Sequence, residues 1–302
     1  MLATVSGLFV PIGGIFATVG SADSIFMTLL KTTPLPAATF LIITGMYILN
    51  DLVDADLDKV NGKKRPIPSG QVTKANALFF VIITNAAALI LVLITFNLPS
   101  IMIALIIIGI GLMYSAPKIC LKDRFVLKTG SIAAASMLCL ILGSSYAFDS
   151  SDLRQPITHY NHNYGSLNIT PIWMYAALMS GSIIFITSLL NDLGDVEGDK
   201  AFGRRTIPVV VGKKNTVILT ILIATSMIVI SWVIYYILAT NLGLTLPICV
   251  SLVASIAILN MSKILKHLQD SEYIRKQHKK SMSMHLMLQS ALIIGSLVTW
   301  LR

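Results

Sequence analysis

Apolar residues in this chain come in long unbroken blocks, with neither the alternation of a half-buried strand nor the seam of a coiled coil. Nine blocks approach or reach the ~20 residues a helix needs to cross a bilayer. They cover residues 2–20, 34–50, 75–96, 99–115, 128–148, 170–191, 216–238, 243–262 and 284–301. Blocks of this length exceed the strands of a transmembrane barrel, so helices are the structure that satisfies their backbone in lipid. Pro34, Pro99 and Pro171 stand near the starts of their blocks, where a missing N–H costs little. The expectation is an all-α polytopic membrane protein, with residues 1–302 forming a single bundle of about nine helices.

Composition supports this. Of 302 residues, 55% are hydrophobic and only 12% charged, and the mean hydropathy is +0.79, far above a soluble domain. The first twenty residues hold no Lys or Arg and so lack the charged start of a signal peptide. Cys120, Cys139 and Cys249 lie in or beside apolar blocks without metal-ligand spacing, which suits packing. The net charge of +9 would suit nucleic acid, but its distribution does not. The segments after the second, fourth, sixth and eighth blocks hold 5, 4, 5 and 6 of the 23 Lys and Arg. The other side has only Lys31, Arg154 and Arg302. By the positive-inside rule, the rich side and the N-terminus are cytoplasmic and the C-terminus is outside. Attraction to anionic lipid heads is compatible with the same pattern.

Two acidic stretches stand out against this background. Residues 50–59 read NDLVDADLDK and residues 191–200 read NDLGDVEGDK, and together they hold eight of the fourteen acids. Each closes a block on the cytoplasmic side, and the even number of blocks between them returns the chain to the same face. The likeness continues, since DKVNGKKRPIP (58–68) parallels DKAFGRRTIP (199–208). This reads as an internal duplication that brings two equivalent helix ends together.

Asn50, Asp54 and Asp58 are four apart, as are Asn191, Asp195 and Asp199. On a helix such residues share one face. Clustered carboxylates repel one another unless cations neutralise them. Few, hard oxygen donors suit Mg²⁺, and no His or Cys set accompanies them to suit zinc. The candidate ligands are Asn50, Asp54, Asp58, Asp195 and Asp199. Asp51 and Asp192 are either further ligands, supports for the ligands, or solvated helix ends. Bases follow each motif: Lys63, Lys64 and Arg65 in one, Arg204 and Arg205 in the other. Metal and fixed cations together match a diphosphate. The plainer alternative is a pair of solvated helix ends whose acids balance local bases.

With these residues in hand, the sequence resembles the UbiA-type intramembrane prenyltransferases. The family's NDxxDxxxD motif is matched by Asn50, Asp51, Asp54 and Asp58, and its second Asp-rich motif by Asp192, Asp195 and Asp199. RPIPSG (65–70) is typical of the family, and its YxxxK element is matched by Tyr114 and Lys118. The resemblance implies a nine-helix bundle and Mg²⁺-dependent transfer of a prenyl group from an allylic prenyl diphosphate, such as geranylgeranyl diphosphate. Asp54, Asp58, Asp195, Asp199 and Tyr114 would be catalytic. Arg65, Lys118, Lys63 and Arg205 would bind diphosphate, and Lys122 and Arg124 either assist or belong to the cytoplasmic charge. The acceptor it implies is a glycerol-phosphate lipid precursor, an aromatic quinone precursor, a porphyrin or a chlorophyllide. The first two are favoured here.

Two other classes compete. A divalent-cation transporter also carries intramembrane acids, but near the midplane rather than at helix ends. A membrane phosphatidyl-alcohol transferase has one Asp-rich motif opening with Asp-Gly, whereas Asn-Asp opens both motifs here. HYNHNY (159–164) reads as a polar outer loop rather than a metal site, despite His159 and His162. The sequon at Asn168 matters only in a secretory pathway. Residues 266–280 read as a charged cytoplasmic connector and a candidate helix at the lipid surface.

Overall fold

The computed structural model describes residues 10–13, 15, 32–60, 65–117, 119–145, 170–238 and 243–300. Lys63, Lys64, Lys118, the 159–164 stretch, Asn168 and most of the first expected span lie outside them. The described residues are helical and carry no strand. Eight helices among them are long and apolar enough to cross a membrane. Numbered along the chain, α1 is Pro34–Val53, α2 Ala55–Val60, α3 Lys74–Leu93 and α4 Leu98–Ser115. Then come α5 Phe125–Ser144, α6 Thr170–Gly194, α7 Val196–Ala201 and α8 Ile207–Val211, followed by α9 Lys213–Leu238, α10 Thr245–Leu265 and α11 Ser271–Trp300. The protein is a multi-pass membrane protein.

Local chemistry sets these boundaries. Pro34 and Pro99 occupy the first turns of α1 and α4. The side chains of Thr73 and Asn97 accept from the backbone N–H groups of Asn76 and Ser100, capping α3 and α4. Ala116 is extended, with ψ 127°, because Pro117 follows it, and α4 ends there.

The duplication is visible in the helix order. A long helix, a break at an aspartate and a short helix occur in each half: α1, Asp54, α2 and α6, Asp195, α7. At the breaks Asp54 has φ −86° and ψ 3°, and Asp195 has φ −112° and ψ 9°, both in the sparsely allowed bridge region. The expected four-residue stripe is therefore kinked at its middle carboxylate rather than carried on one straight helix. In the first motif the backbone bonds Asp54 N–H to Asn50 O and Asp58 N–H to Asp54 O span the kink. In the second, Asp195 N–H reaches only to Asp192 O, a tighter turn.

Helix α6 is the hub: 61% of its spanning window is buried, against 28–44% in the other spans. Tyr175, Met179, Ile183, Ile186, Leu190 and Leu193 lie fully inside at three- and four-residue steps. It packs against α5, α9 and α11, while α1 packs against α3, α4 and α5. Outer faces such as Phe79, Phe80, Ile82 and Ile83 of α3 are exposed and apolar, as lipid contact requires. Small residues allow the close approaches: a Cβ at Gly143 of α5 would stand 2.0 Å from the backbone oxygen of Pro11.

The 266–280 connector is helical from residue 271 onward, and it joins the last span in one 30-residue helix that runs to Trp300. Ile274, Gln277, Ser281, Met284, His285, Leu288 and Gln289 are buried at helical spacing, so one inward face crosses the charged stretch without interruption. Arg275, Lys276, Lys279 and Lys280 fall on other faces. Net charge along the chain hid a periodicity that is set by face.

Candidate active site

Both acidic helix ends open on one cavity of about 440 Å³. Asn50 and Asp51 line it from the end of α1, and Asn191 and Asp192 from the end of α6. Arg65 and Lys128 stand among them, and Tyr114 joins from the end of α4. Deeper, Ile43, Met46, Ile107 and Ile110 give an apolar wall on the first-half side. The second-half side is more polar, with Thr187, Ser188, His278 and His285. The site thus has a charged mouth and a greasy interior.

Every carboxylate of the first motif has a resident cation or donor. Arg65 Nη1 donates to Asp51 Oδ1 at 2.6 Å and to Asp58 Oδ2 at 2.8 Å. Lys122 Nζ, almost fully buried, donates to Asp54 Oδ1 at 2.8 Å and to Asn50 Oδ1 at 3.3 Å. Arg204, from the second half, crosses to Asp54 with Nη2 at 3.1 Å while its Nε holds Asp123 at 3.0 Å. Burial alone disfavours the charge on Arg204, but the carboxylates of Asp54, Asp123 and Asp199 outweigh it and raise its pKa above the ordinary value. Asp56 turns outward to an exposed pair with Lys74.

The second motif is arranged differently. Asp192 Oδ1 is 2.6 Å from Lys128 Nζ, deep inside, while Asp192 Oδ2 is buried with no partner. Asp199 is buried and accepts from Thr206 Oγ1 at 3.1 Å. Asp195 sits half exposed at the kink, 3.2 Å from Arg275 Nη2, and Arg275 Nε also donates to the Gly194 carbonyl. Arg205 is exposed, and its backbone N–H reaches the Asp123 carbonyl at 3.3 Å.

The first pair of each motif, Asn-Asp, therefore faces the cavity, while Asp54, Asp58, Asp195 and Asp199 are not among its lining residues. Tyr114 and Arg65 lie in the cavity wall. Lys128 lines the cavity and is passed over by motif reading, while Lys122 and Arg204, which the sequence offered only as neighbouring bases, both hold Asp54. Lys128 had a visible signal, since it is a lysine at the start of an apolar block. Arg204 and Arg205 are indistinguishable in sequence, and only the turn after α7 decides which points inward.

Among the described residues, no three His, Cys, Asp or Glu side chains converge closely enough to hold a metal alone. The donor chemistry still fits a hard divalent cation. Asp51, Asp192 and two amides offer only oxygens of the right kind, and one buried carboxylate oxygen is unpartnered. Phosphate oxygens complete such a set, as they commonly do for Mg²⁺.

Helices that bring a duplicated carboxylate motif to one end of a lipid-facing bundle define a membrane-embedded enzyme class. The sequence pattern of the UbiA prenyltransferase family matches residues 3–288, and the chain belongs to that family. Among curated relatives, the digeranylgeranylglyceryl phosphate synthase of Sulfolobus acidocaldarius is 31% identical over 226 residues, covering 69% of this chain and 72% of the relative. That of Methanospirillum hungatei is 27% identical, covering 72% and 73%. Among solved structures, a UbiA homologue from Archaeoglobus fulgidus bound to GPP and Mg²⁺ matches with a TM-score of 0.68 at 16% identity, over 100% of this chain and 97% of the other. An apo UbiA homologue from Aeropyrum pernix matches with a TM-score of 0.70 at 15% identity, over 97% of each chain.

Proposed function

We propose that this prenyltransferase uses Mg²⁺ to move a geranylgeranyl group from its diphosphate onto the free hydroxyl of a glycerol-phosphate lipid such as geranylgeranylglyceryl phosphate. The observation that carries the reading is the single cavity lined by the two Asn-Asp pairs at its mouth and by Ile43, Met46, Ile107 and Ile110 below. An amphiphile with a diphosphate head and an isoprenoid tail matches that gradient. The digeranylgeranylglyceryl phosphate synthases related to this chain favour the lipid acceptor over an aromatic one.

Asn50, Asp51 and Asp192 would hold Mg²⁺ with the diphosphate, with Asp54, Asp58, Asp195 and Asp199 completing or supporting the set. Bound Mg²⁺ supplies neutralisation of the diphosphate charge and so improves the leaving group. Arg65 and Lys128 add fixed positive charge at the mouth, Lys63 and Lys118 are further diphosphate contacts in this reading, and Arg204 takes the place of the exposed Arg205. Tyr114 presents an aromatic face where allylic positive charge develops. The apolar walls keep water from capturing that carbon. The acidic ends face the cytoplasm with the N-terminus, and the C-terminus lies outside, following the charge asymmetry.

The test uses purified protein in liposomes with Mg²⁺, labelled geranylgeranyl diphosphate and separate acceptors: geranylgeranylglyceryl phosphate, a hydroxybenzoate and a naphthoate. The expected result is a labelled diether lipid that is absent with EDTA. Transfer only to an aromatic acceptor, or none to any acceptor, overturns the proposal.

A further inference from the structure

Equivalent positions of the two repeats line the cavity. Ile43, Asn50 and Asp51 of α1 answer to Ile184, Asn191 and Asp192 of α6, and all six face it. At these three positions the halves carry the same residue. Two further pairs line the cavity and differ: Met46 is answered by Thr187, and Tyr47 by Ser188. The repeat is thus identical at the acidic mouth and divergent one helical turn below it. A thioether and an aromatic ring stand on the first-half side, and two small hydroxyls stand on the second. Walls so different in bulk and polarity suit different ligands. An apolar chain gains from the first, whereas the second leaves room for a compact group that bears oxygen.

The hydroxyls on the second side are not equivalent. Thr187 Oγ1 donates to the Ile184 carbonyl at 3.0 Å, and Ser131 Oγ of α5 donates to the Lys128 carbonyl at 2.9 Å. Both protons are spent within their own helices. Ser188 is half-buried, and its hydroxyl has no partner among the described residues. It stands four residues before Asp192, about 6 Å along the helix axis. The reacting carbon C1 is bonded to the diphosphate, so an acceptor oxygen that attacks it lies near that depth.

We propose that the two halves divide the substrates between them. The isoprenoid tail of the donor runs along Met46 and Tyr47, and Ser188 binds the acceptor through a hydrogen bond to the hydroxyl that attacks C1. A serine hydroxyl accepts as well as donates, so it can hold an alcohol by its proton and leave the oxygen lone pairs turned to carbon. This assignment rests on the hydroxyl-acceptor reading of the site.

The test uses protein in liposomes with Mg²⁺ and two readouts: equilibrium binding of labelled geranylgeranyl diphosphate, and kcat/KM for geranylgeranylglyceryl phosphate at saturating donor. Ser188→Ala should lower the acceptor kcat/KM by about three- to tenfold and leave donor affinity within about twofold. The paired change Met46→Thr and Tyr47→Ser, which gives the first half the residues of the second, should weaken donor binding by about tenfold or more. A defect shared equally by donor and acceptor in Ser188→Ala, or an acceptor kcat/KM within twofold of wild type, overturns the proposal. So does unchanged donor binding in the paired variant. Should the paired variant not fold, Ser188→Ala decides alone. Wild-type protein that transfers to no hydroxyl acceptor instead overturns the functional reading beneath it.

Discussion

Lys128 and Asp192 form the most consequential pair at the scale of single residues. Their contact is 2.6 Å, with side-chain exposures of 12% and 1%. Such a buried pair adds little net stability, but losing one partner strands the other charge inside the bundle. Lys128→Met should lower stability by about 3–5 kcal/mol, seen as an earlier thermal transition in detergent. Lys128→Met combined with Asp192→Asn should recover most of that loss, because no charge is left unpaired. A double variant as unstable as the single one would contradict this role for the pair. The sequence identified Asp192 as a candidate yet ranked it below the outer acids, because spacing along a helix says nothing about which end of a motif meets the cavity. The helix breaks at Asp54 and Asp195 separate the cavity-lining Asn-Asp pairs from the later carboxylates, which do not line it. Neither kink carries a proline or a distinct sequence mark, although Gly194 precedes the second.

Among elements, the spans were legible because long apolar blocks have a single solution in lipid. The blocks at 34–50, 75–96, 99–115, 128–148, 170–191, 216–238 and 243–262 all correspond to helices. The continuity of the charged connector with the last span was not legible, since its charges mask a buried face that continues through Gln277 and Ser281. Close approach between helices is equally hidden in sequence, where one glycine looks like another. A Cβ on Gly143 would meet the Pro11 backbone oxygen at 2.0 Å, whereas one on Gly111 would meet the flexible Met46 side chain. Gly143→Ala should therefore cost clearly more thermal stability than Gly111→Ala, with a gap of about 1–3 kcal/mol expected from overpacking against an immovable partner. Equal effects in thermal melts of the two variants would show that the helix carrying Pro11 can shift to make room.

Taken whole, the molecule is two similar halves whose acidic helix ends line one cavity. Asn50 and Asp51 from one half share a cavity with Asn191 and Asp192 from the other, and Arg204 of the second half holds Asp54 of the first. The repeat itself was readable from two matched decapeptides, and it implied that the ends would meet. What the repeat could not reveal is the asymmetry between them: Arg65 covers two carboxylates of the first motif, while the second leaves one oxygen of Asp192 bare. The central claim is that one diphosphate is gripped by both halves together. Equilibrium binding of labelled geranylgeranyl diphosphate with Mg²⁺, to wild type and to Asp51→Ala, Asp192→Ala and the double variant, tests it most directly. One site per chain is predicted, with each single variant losing at least about tenfold in affinity and the double variant losing far less than the product of the two, as expected for residues acting on one ligand. Two sites per chain, or losses that multiply independently, would contradict a shared grip.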